Sequence, residues 1–206
     1  MPQEKFSRKD LEMKSQFPEW FAVTGITFFN RHLMPMAGQP LRCLQLGAYT
    51  GDASEYLLRN ILTNDESLLV DVDTWHGAKD SLQKTMDWRK IERFYDERLH
   101  AFLESQKLIK CKETTESYFR RINEKEIFDF IYVDADHEAA SVLKDGLHAI
   151  EHLSVGGILA FDDYTWNSGL GGWANPKFGV DAIMFCYSHR FDVLDIGAQV
   201  WLRLKN

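Results

Sequence analysis

The sequence predicts an α/β fold with a doubly wound, mostly parallel seven-stranded sheet and an antiparallel C-terminal strand. Short apolar runs alternate along the chain with longer segments of helical periodicity, which is the pattern of strands joined by crossover helices. The run IFDFIYV is almost continuously hydrophobic, as expected of a central parallel strand that is covered on both faces. The last two apolar runs are close enough to pair as a hairpin through Gly197, which adds the antiparallel element at one edge.

Composition and charge limit the kind of protein this is. The 206 residues, 45% of them hydrophobic, suit a single domain, 1–206, whose residues 1–40 form an N-terminal helical extension. A net charge of −7 without a basic cluster argues against a nucleic-acid partner and favours a small-molecule partner. The sequence leaves open whether the chain forms a homo-oligomer.

Membrane and secretory signals are missing from the sequence pattern. No apolar run approaches the ~18 residues of a membrane span, and the segment MPQEKFSRKDLEMK is charged where a secretory signal would be apolar. We therefore expect a cytoplasmic protein without a membrane partner. The three scattered cysteines fit reduced thiols better than a disulfide set or a zinc site.

The N-terminal third predicts a helix, a strand and a tight turn. The segment PEWFAVTGITFFNRHLM has apolar residues at near-helical spacing, and Pro35 and Pro40 end this helix before a strand that begins at Leu41. Gly47 and Gly51 then form a turn that lets a ligand approach the backbone, before a helix with unpaired N–H groups at its start. Their G-x-x-x-G spacing is neither the dinucleotide fingerprint nor the phosphate-binding loop, so we expect a nucleotide-like ligand other than NAD or ATP.

The remaining elements follow from the same two periodicities. Predicted helices cover about 52–62, 80–103, 115–122, 137–153 and 179–188, and further strands cover about 68–72, 108–111, 127–133, 158–161, 190–195 and 198–204.

Acidic side chains follow three of the predicted strands at the point where each strand ends. Asp71 and Asp73 close the second strand, Asp134 opens the segment DADH after the fourth, and Asp162 and Asp163 follow the fifth. Ligands of parallel α/β sheets bind beyond the carboxyl ends of the strands. The glycine turn and these acids are therefore expected to converge on one site.

These motifs resemble a known family. LQLGAYTGDAS is similar to the glycine turn of class I S-adenosylmethionine-dependent methyltransferases, in the form found in catechol O-methyltransferases. FIYVDADH and GGILAFDDY are similar to the same enzymes and to macrocin-type sugar O-methyltransferases. The resemblance covers about residues 20–204. It implies a Rossmann-like methyltransferase domain, a transferase that methylates a small-molecule hydroxyl, S-adenosyl-L-methionine as cofactor, and Mg²⁺ or a similar divalent metal.

The resemblance also implies a cofactor site. Asp73 is the first candidate for the ribose hydroxyls and Asp71 the second, because the strand register decides which of them points into the cleft. Thr115 and Glu116 would lie along the adenine, and Trp75 or His76 would help to wall it. Gln45 stands where the family commonly has an acid, which weakens the expected hold on the methionine amino group. The residues implied in cofactor binding are Gly47, Ala48, Tyr49, Gly51, Asp71, Asp73, Thr115, Glu116 and Asp134.

A catalytic site is implied next to it. The family's metal ligands fall on Asp134, Asp162 and Asp163, and a divalent ion there would orient a substrate oxygen and lower its pKa. The family's lysine base falls on His137, whose neutral imidazole would take a hydroxyl proton. The residues leave open whether the base is His137, Asp136, or none beside a metal held by Asp134.

Each of these residues also has a simpler interpretation. The glycine turn fits any doubly wound fold, the three metal candidates fit a hydrogen-bonding role without metal, and His137 fits the first residue of a helix. Asp145, His148 and His152 are expected to face water, although the two histidines have the i, i+4 spacing of a chelating pair. Trp166 and Trp173 would line a substrate pocket or pack their own loop. The competing function is a non-catalytic cofactor-binding or interaction module.

Overall fold

The protein forms one seven-stranded sheet in the computed structural model, which describes residues 17–77 and 83–205. The strands are β1 (Arg42–Leu46), β2 (Leu68–Asp73), β3 (Leu108–Lys112), β4 (Phe128–Val133), β5 (Leu153–Phe161), β6 (Phe191–Ile196) and β7 (Val200–Leu204). Their order in the sheet is β3-β2-β1-β4-β5-β7-β6. The pairs from β3 to β5 are parallel, and β7 is antiparallel to both of its neighbours. The predicted sheet and its antiparallel C-terminal strand are confirmed.

Helices cover both faces of the sheet. They are α1 (Trp20–His32), α2 (Asp52–Tyr56), α3 (Trp88–Glu104), α4 (Thr115–Arg121), α5 (Ala139–Glu151) and α6 (Pro176–Cys186). Side chains of α1, α2 and α3 form one core cluster with the sheet, and side chains of α4, α5 and α6 form the other. Along β4, Ile131 and Val133 enter one cluster and Tyr132 the other. The continuous hydrophobicity of this strand is therefore explained by burial on both faces.

The helix predicted within the N-terminal extension is α1, and it is anchored in the core. Phe29 is fully buried, with its ring edge-on to Phe130 at 5.7 Å, Tyr132 at 5.1 Å and Trp201 at 5.4 Å between centroids. Edge-to-face pairs at this spacing add to the free energy of burial. Residues 1–16 of the extension lie outside the described residues. None of the helices in the described ranges has the length and hydropathy needed to cross a bilayer.

Two helices begin elsewhere than their periodicity predicts. The helix expected from residue 80 begins at Trp88, because Asp87 caps it by accepting a hydrogen bond from the Lys90 N–H at 3.2 Å; residue 80 itself lies outside the described residues. The helix expected from residue 179 begins at Pro176, whose ring suits the first helical position. The region expected at 52–62 is α2 followed by a π-helical turn, Leu57–Ile61.

The expectation that Asp145 and His152 face water is wrong. Both are buried. Asp145 accepts a hydrogen bond from the Thr115 hydroxyl at 2.6 Å, and His152 Nδ1 lies 2.7 Å from the Glu126 carbonyl oxygen. His148 stacks on Phe119 of α4, with centroids 5.0 Å apart. The short helix α4 packs over this face of α5, and each buried polar group has found a partner there.

Candidate active site

Backbone hydrogen bonds tie four strand ends together at the carboxyl edge of the sheet. The Gly47 N–H donates to the Val72 carbonyl at 2.8 Å, and the Asp134 N–H donates to the Leu46 carbonyl at 2.8 Å. The Asp162 N–H donates to the Val133 carbonyl at 3.0 Å. The convergence expected of the acids and the glycine turn is therefore present at the ends of β2, β1, β4 and β5.

The two glycines of the turn are required by the packing of the protein itself. Gly47 has a φ of +88°, and a Cβ there would lie 2.0 Å from the Asp134 carbonyl oxygen. Gly51 has a φ of +79° and precedes α2, and its Cβ would lie 2.8 Å from Leu99 and 2.9 Å from Tyr95. Any side chain at these positions would be strained and would clash. The turn is thus held between the end of β4 and helix α3.

Asp73 connects the end of β2 to the glycine turn. One carboxylate oxygen accepts hydrogen bonds from the backbone N–H groups of Ala48 at 2.8 Å and Tyr49 at 3.0 Å, and the other accepts from the Trp75 N–H at 2.7 Å. The side chain remains half-buried. Asp73 is therefore the acid of β2 that reaches the edge of the sheet.

Asp71, the second ribose candidate, lies deeper on the same face of β2. It is fully buried and accepts a hydrogen bond from the Tyr95 hydroxyl at 2.7 Å, and its other oxygen has no hydrogen-bond partner within the described residues. Burial raises the pKa of Asp71 to about 7, partly offset by the Ser54 and Tyr95 hydroxyls, and the Asp73 charge adds to the rise. Residues two apart share a face, so depth and not register separates the two acids. Asp71 is therefore a core residue and Asp73 is the acid at the edge, and ribose binding by either stays a prediction.

Three further acids share the edge at the ends of β4 and β5. Burial and the charges of Asp162 and Asp163 raise the pKa of Asp134 well above its usual range, and the Asp73 charge adds to the effect. Burial and the Asp163 charge raise the pKa of Asp162 to about 6. The edge of the sheet therefore concentrates negative charge that a bound cation would relieve.

Asp162 is oriented by a buried chain of hydrogen bonds that the sequence did not predict. One oxygen accepts from the Tyr132 hydroxyl, which in turn accepts from the Gln199 amide at 2.8 Å. Trp201 Nε1 donates to the Gln199 side-chain oxygen at 2.9 Å. The other oxygen of Asp162 accepts from the Asp163 N–H at 2.7 Å. The sequence pattern does not distinguish Tyr132, Gln199 and Trp201 from ordinary strand residues. Their mutual contact depends on the pairing of β4, β5 and β7, which are distant in the sequence.

His137 and Asp136 follow Asp134 and have different surroundings. His137 Nε2 lies 3.0 Å from an Asp163 carboxylate oxygen, and its ring lies 4.5 Å from the Trp166 ring. One Asp136 oxygen accepts from the backbone N–H groups of His137 at 2.7 Å and Glu138 at 3.4 Å. Asp136 therefore braces the turn that leads to α5, whose N-cap position is Glu138, and a catalytic role for Asp136 stays a prediction. Of the two base candidates, His137 is the one joined to the acid cluster.

The three predicted metal ligands lie at this edge of the sheet. Asp134, Asp162 and Asp163 supply carboxylate oxygens, which Mg²⁺ prefers. In residues 17–77 and 83–205, however, no three His, Cys, Asp or Glu side chains are arranged as a metal-binding group. Asp162 is instead bound to Tyr132, and Asp163 faces His137. The chemistry of the donors fits a divalent ion, and the metal stays a prediction.

Comparison with known proteins assigns the chain to a family. A family model described as a methyltransferase domain matches residues 44–164, which is more than half of the chain and spans the glycine turn and all the acids above. The chain belongs to this methyltransferase family. The match confirms the resemblance seen in the glycine turn and in the strand-end acids of this methyltransferase domain. A search of curated proteins finds no match.

Solved structures share the fold of this methyltransferase domain at low sequence identity. An O-methyltransferase from Bacillus cereus in complex with SAH has a TM-score of 0.66 and 12% identity, over 98% of this chain and 93% of that one. The O-methyltransferase TomG from Streptomyces achromogenes, in complex with SAM, has a TM-score of 0.65 and 13% identity, over 98% and 92%. The MycE methyltransferase, in complex with Mg, SAH and mycinamycin VI, has a TM-score of 0.61 and 15% identity, over 95% and 54%.

Gln45, at the position where the resemblance implies an acid, has a local role in this methyltransferase domain. It is buried, and its amide donates to the Gly47 carbonyl at 2.8 Å and accepts from the Ser54 hydroxyl at 3.4 Å. It also pairs in register with Asp71 of β2. A carboxylate at this position would stand beside a second buried acid and would have no proton to donate to Gly47. The amide therefore suits the turn of this chain.

The side chains predicted along the adenine are engaged elsewhere. The Thr115 hydroxyl donates to Asp145, and Glu116 pairs with Lys144 at 2.6 Å and with Arg120. Trp75 is buried, and its Nε1 donates to the Tyr49 carbonyl at 3.0 Å, so it supports the glycine turn. Exposed His76 lies at the edge, with Nδ1 2.6 Å from the Thr74 carbonyl oxygen. A role for these residues in adenine binding stays a prediction.

Two features around the glycine turn were missed in the sequence. The Tyr49 ring lies 4.7 Å from Trp20 of α1 and 6.0 Å from Trp88 of α3, which forms an aromatic wall over the turn. Arg98 of α3 is almost fully buried and donates to Asp52 at 2.7 Å, to Glu55 and to the Thr50 carbonyl at 3.3 Å. The separation of these residues in the sequence, up to 48 positions, conceals both contacts.

Proposed function

We propose that this methyltransferase uses S-adenosylmethionine to methylate a hydroxyl oxygen of a small molecule. The observation that carries the proposal is the meeting, at one sheet edge, of the glycine turn, Asp73 and the Asp134, Asp162 and Asp163 cluster. Ligands of doubly wound sheets bind at this edge. Two structural neighbours that hold SAH or SAM are described as O-methyltransferases, which supports the choice of oxygen as acceptor.

The residues at the turn fit the ribose and the charged end of this cofactor. An ionised carboxylate has about four acceptor sites, and Asp73 uses three of them on backbone N–H groups. The remaining site would accept from a ribose hydroxyl while the turn keeps its shape. The acids at the ends of β4 and β5 lie beyond the turn, where their charge would attract a sulfonium.

A divalent metal, if bound, would be held by Asp134, Asp162 and Asp163. It would supply orientation of the acceptor oxygen and a lower pKa of the acceptor hydroxyl. Burial and, after it, the charges of Asp162 and Asp163 raise the pKa of Asp134, and a cation at this place would offset the charge repulsion. The MycE neighbour is described with Mg.

His137 would take the proton of the acceptor hydroxyl. Its Nε2 lies 3.0 Å from an Asp163 oxygen, so the carboxylate would stabilise the imidazolium that forms. The Trp166 ring, 4.5 Å from the imidazole, would exclude water from one side. The sulfonium methyl group would then pass in line to the deprotonated oxygen, and S-adenosylhomocysteine would leave.

Two measurements test the proposal. Calorimetry with S-adenosylmethionine and S-adenosylhomocysteine should show binding that Asp73→Ala weakens roughly tenfold or more. A radiolabel transfer assay over a panel of hydroxyl compounds, with and without Mg²⁺, should show turnover that Asp134→Ala and His137→Ala reduce, with cofactor binding persisting in His137→Ala. Asp192→Ala, an exposed acid on β6, is the matched control.

The results distinguish this proposal from a non-catalytic module. Absence of binding for both cofactor forms would end the proposal. Binding without turnover on any acceptor would favour the module. If Asp134→Ala and His137→Ala leave turnover unchanged, the roles assigned to these two residues are refuted. If turnover does not depend on Mg²⁺, the proposed role of the metal is refuted.

A further inference from the structure

A large cavity opens beside the acid cluster. It has a volume of about 660 Å³ and is lined by side chains between Tyr164 and Phe178, the segment that joins β5 to α6. Trp166 belongs to its lining, and the ring of Trp166 contacts His137. The volume lies within the ~300–1,000 Å³ range of small-molecule sites. A ligand in this cavity would therefore adjoin the proposed base.

The polar side chains of this segment are occupied by the segment itself. Asn175 accepts from the Ser168 N–H at 3.0 Å and donates to the Gly171 carbonyl at 3.0 Å, which closes the loop. Asn167 accepts from the Gly169 N–H at 2.9 Å. Asn175 has therefore engaged both its oxygen and its NH₂ group without a ligand, and Asn167 has engaged its oxygen, which reduces the polar recognition that these amides offer to an acceptor.

The charge in the cavity lining is also neutralised. The Lys177 ammonium lies 3.0 Å from an Asp181 carboxylate oxygen and donates to the Tyr164 hydroxyl at 2.5 Å. An anionic ligand would have to compete with Asp181, one turn away on α6, for this ammonium. The cavity is thus poorly suited to a carboxylate or a phosphate.

Exposed aromatic surface remains as the recognition chemistry of the cavity. Phe178 lines the cavity and is 54% exposed although it is a large apolar side chain, and Trp166 is a second aromatic side chain of the lining. Trp173 is 62% exposed but does not belong to the lining. A Cβ on Gly172 would lie 3.0 Å from the Phe178 ring, so this glycine lets the loop pack against that ring. Clustered exposed aromatic side chains around a cavity are typical of a binding site.

We propose that this cavity is the acceptor site and that it selects an uncharged, apolar acceptor body of more than one ring that carries a hydroxyl group. The apolar body contacts Trp166 and Phe178, and the hydroxyl points toward His137. The inference rests on the proposed function and adds the chemical class of the substrate to it.

Binding of 2-naphthol in the presence of S-adenosylhomocysteine, measured by equilibrium dialysis, tests the site. Phe178→Ala should weaken binding roughly tenfold, whereas Trp173→Ala, an exposed aromatic position of the same segment outside the cavity lining, should leave it unchanged. Phe185→Ala is the matched control, because Phe185 is also on α6 and is 84% exposed, but lies outside the cavity lining. All three positions are exposed, and circular dichroism will verify the fold of each variant. Absence of 2-naphthol binding, or equal binding by all variants, overturns the proposal.

A second comparison tests the chemical class. The anion 6-hydroxy-2-naphthoate and the sugar methyl glucoside should bind more weakly than 2-naphthol, and Lys177→Gln should leave 2-naphthol binding unchanged. Tighter binding of the naphthoate that depends on Lys177 would make this an anion site and overturn the proposal. Equal or tighter binding of methyl glucoside would overturn the apolar preference.

The two proposals fail in distinguishable ways. If S-adenosylhomocysteine does not bind but 2-naphthol binds with the expected variant pattern, the proposed function fails and the apolar site stands. If S-adenosylhomocysteine binds while Phe178→Ala leaves 2-naphthol binding unchanged, the acceptor site is overturned and the proposed function stands.

Discussion

The buried carboxyl of Asp71 is expected to lower the stability of this protein at neutral and basic pH. Its pKa is raised from 3.8 to about 7, mainly because burial disfavours the charge. The folded state therefore holds the proton more tightly than the unfolded chain does, and stability is lost as the pH rises from about 4 to about 7. At 1.36 kcal/mol per pKa unit, the full penalty above pH 7 is roughly 4 kcal/mol.

Asp71→Asn removes this penalty because the amide carries no charge. Its oxygen can still accept from the Tyr95 hydroxyl, as Asp71 does at 2.7 Å. Its NH₂ group takes the place of an oxygen that has no partner in the described part of the chain, which costs roughly 1–3 kcal/mol. The variant should therefore be more stable than the parent by roughly 1–3 kcal/mol at pH 8, and should lose this advantage at pH 4.

Urea unfolding followed by circular dichroism at pH 8 and pH 4 measures the difference. Asp192→Asn is the matched control, since the Asp192 side chain on β6 is 65% exposed and should change the free energy of unfolding by less than ~0.5 kcal/mol at either pH. The reasoning is refuted if Asp71→Asn destabilises the protein at pH 8, or if its effect is the same at both pH values.

Three further substitutions test the packing and the turn. Phe29→Ala removes the ring that joins α1 to three aromatic residues of the sheet and should cost roughly 3–5 kcal/mol in urea unfolding, whereas a loss below ~1 kcal/mol would mean that α1 is not part of the core. Gln45→Glu places a carboxyl beside Asp71 and removes the hydrogen-bond donor to Gly47. It should therefore lower the urea midpoint of unfolding more at pH 8 than at pH 5, and an equal change at both pH values would contradict this prediction. Gly47→Ala brings a Cβ to 2.0 Å from the Asp134 carbonyl, so expression of a folded protein should fail; a native circular dichroism spectrum would contradict this.

The sequence was sufficient for the sheet and for the place of the site. The apolar run that ends at Val133 is buried on both faces, and its period needs no tertiary information. The acids at strand ends share an edge because parallel strands present their carboxyl ends together. These features depend on local pattern and on topology, which a single sequence carries.

The burial of individual side chains and the identity of their contact partners could not be predicted in the same way. Asp71 and Asp73 share one face of β2. Asp71 is the buried acid that contacts Tyr95 of α3, and Asp73 is the acid at the edge that contacts the glycine turn. The helical pattern predicts that Asp145 and His152 face water. This pattern belongs to one segment only, so it does not show that α4 packs over these residues. A side chain's partner depends on contacts distant in sequence, which periodicity does not report.

The antiparallel strand β7 has a direct consequence for the site. Phe161, the last residue of β5, pairs with Val200 of β7, so Gln199 lies beside the start of the acid pair. Its amide donates to the Tyr132 hydroxyl, which itself donates to Asp162, and both residues are fully buried. A hydroxyl that receives a hydrogen bond is polarised and donates a stronger one. The C-terminal hairpin therefore sets, through two side chains, the orientation of the first carboxylate of the Asp162 and Asp163 pair.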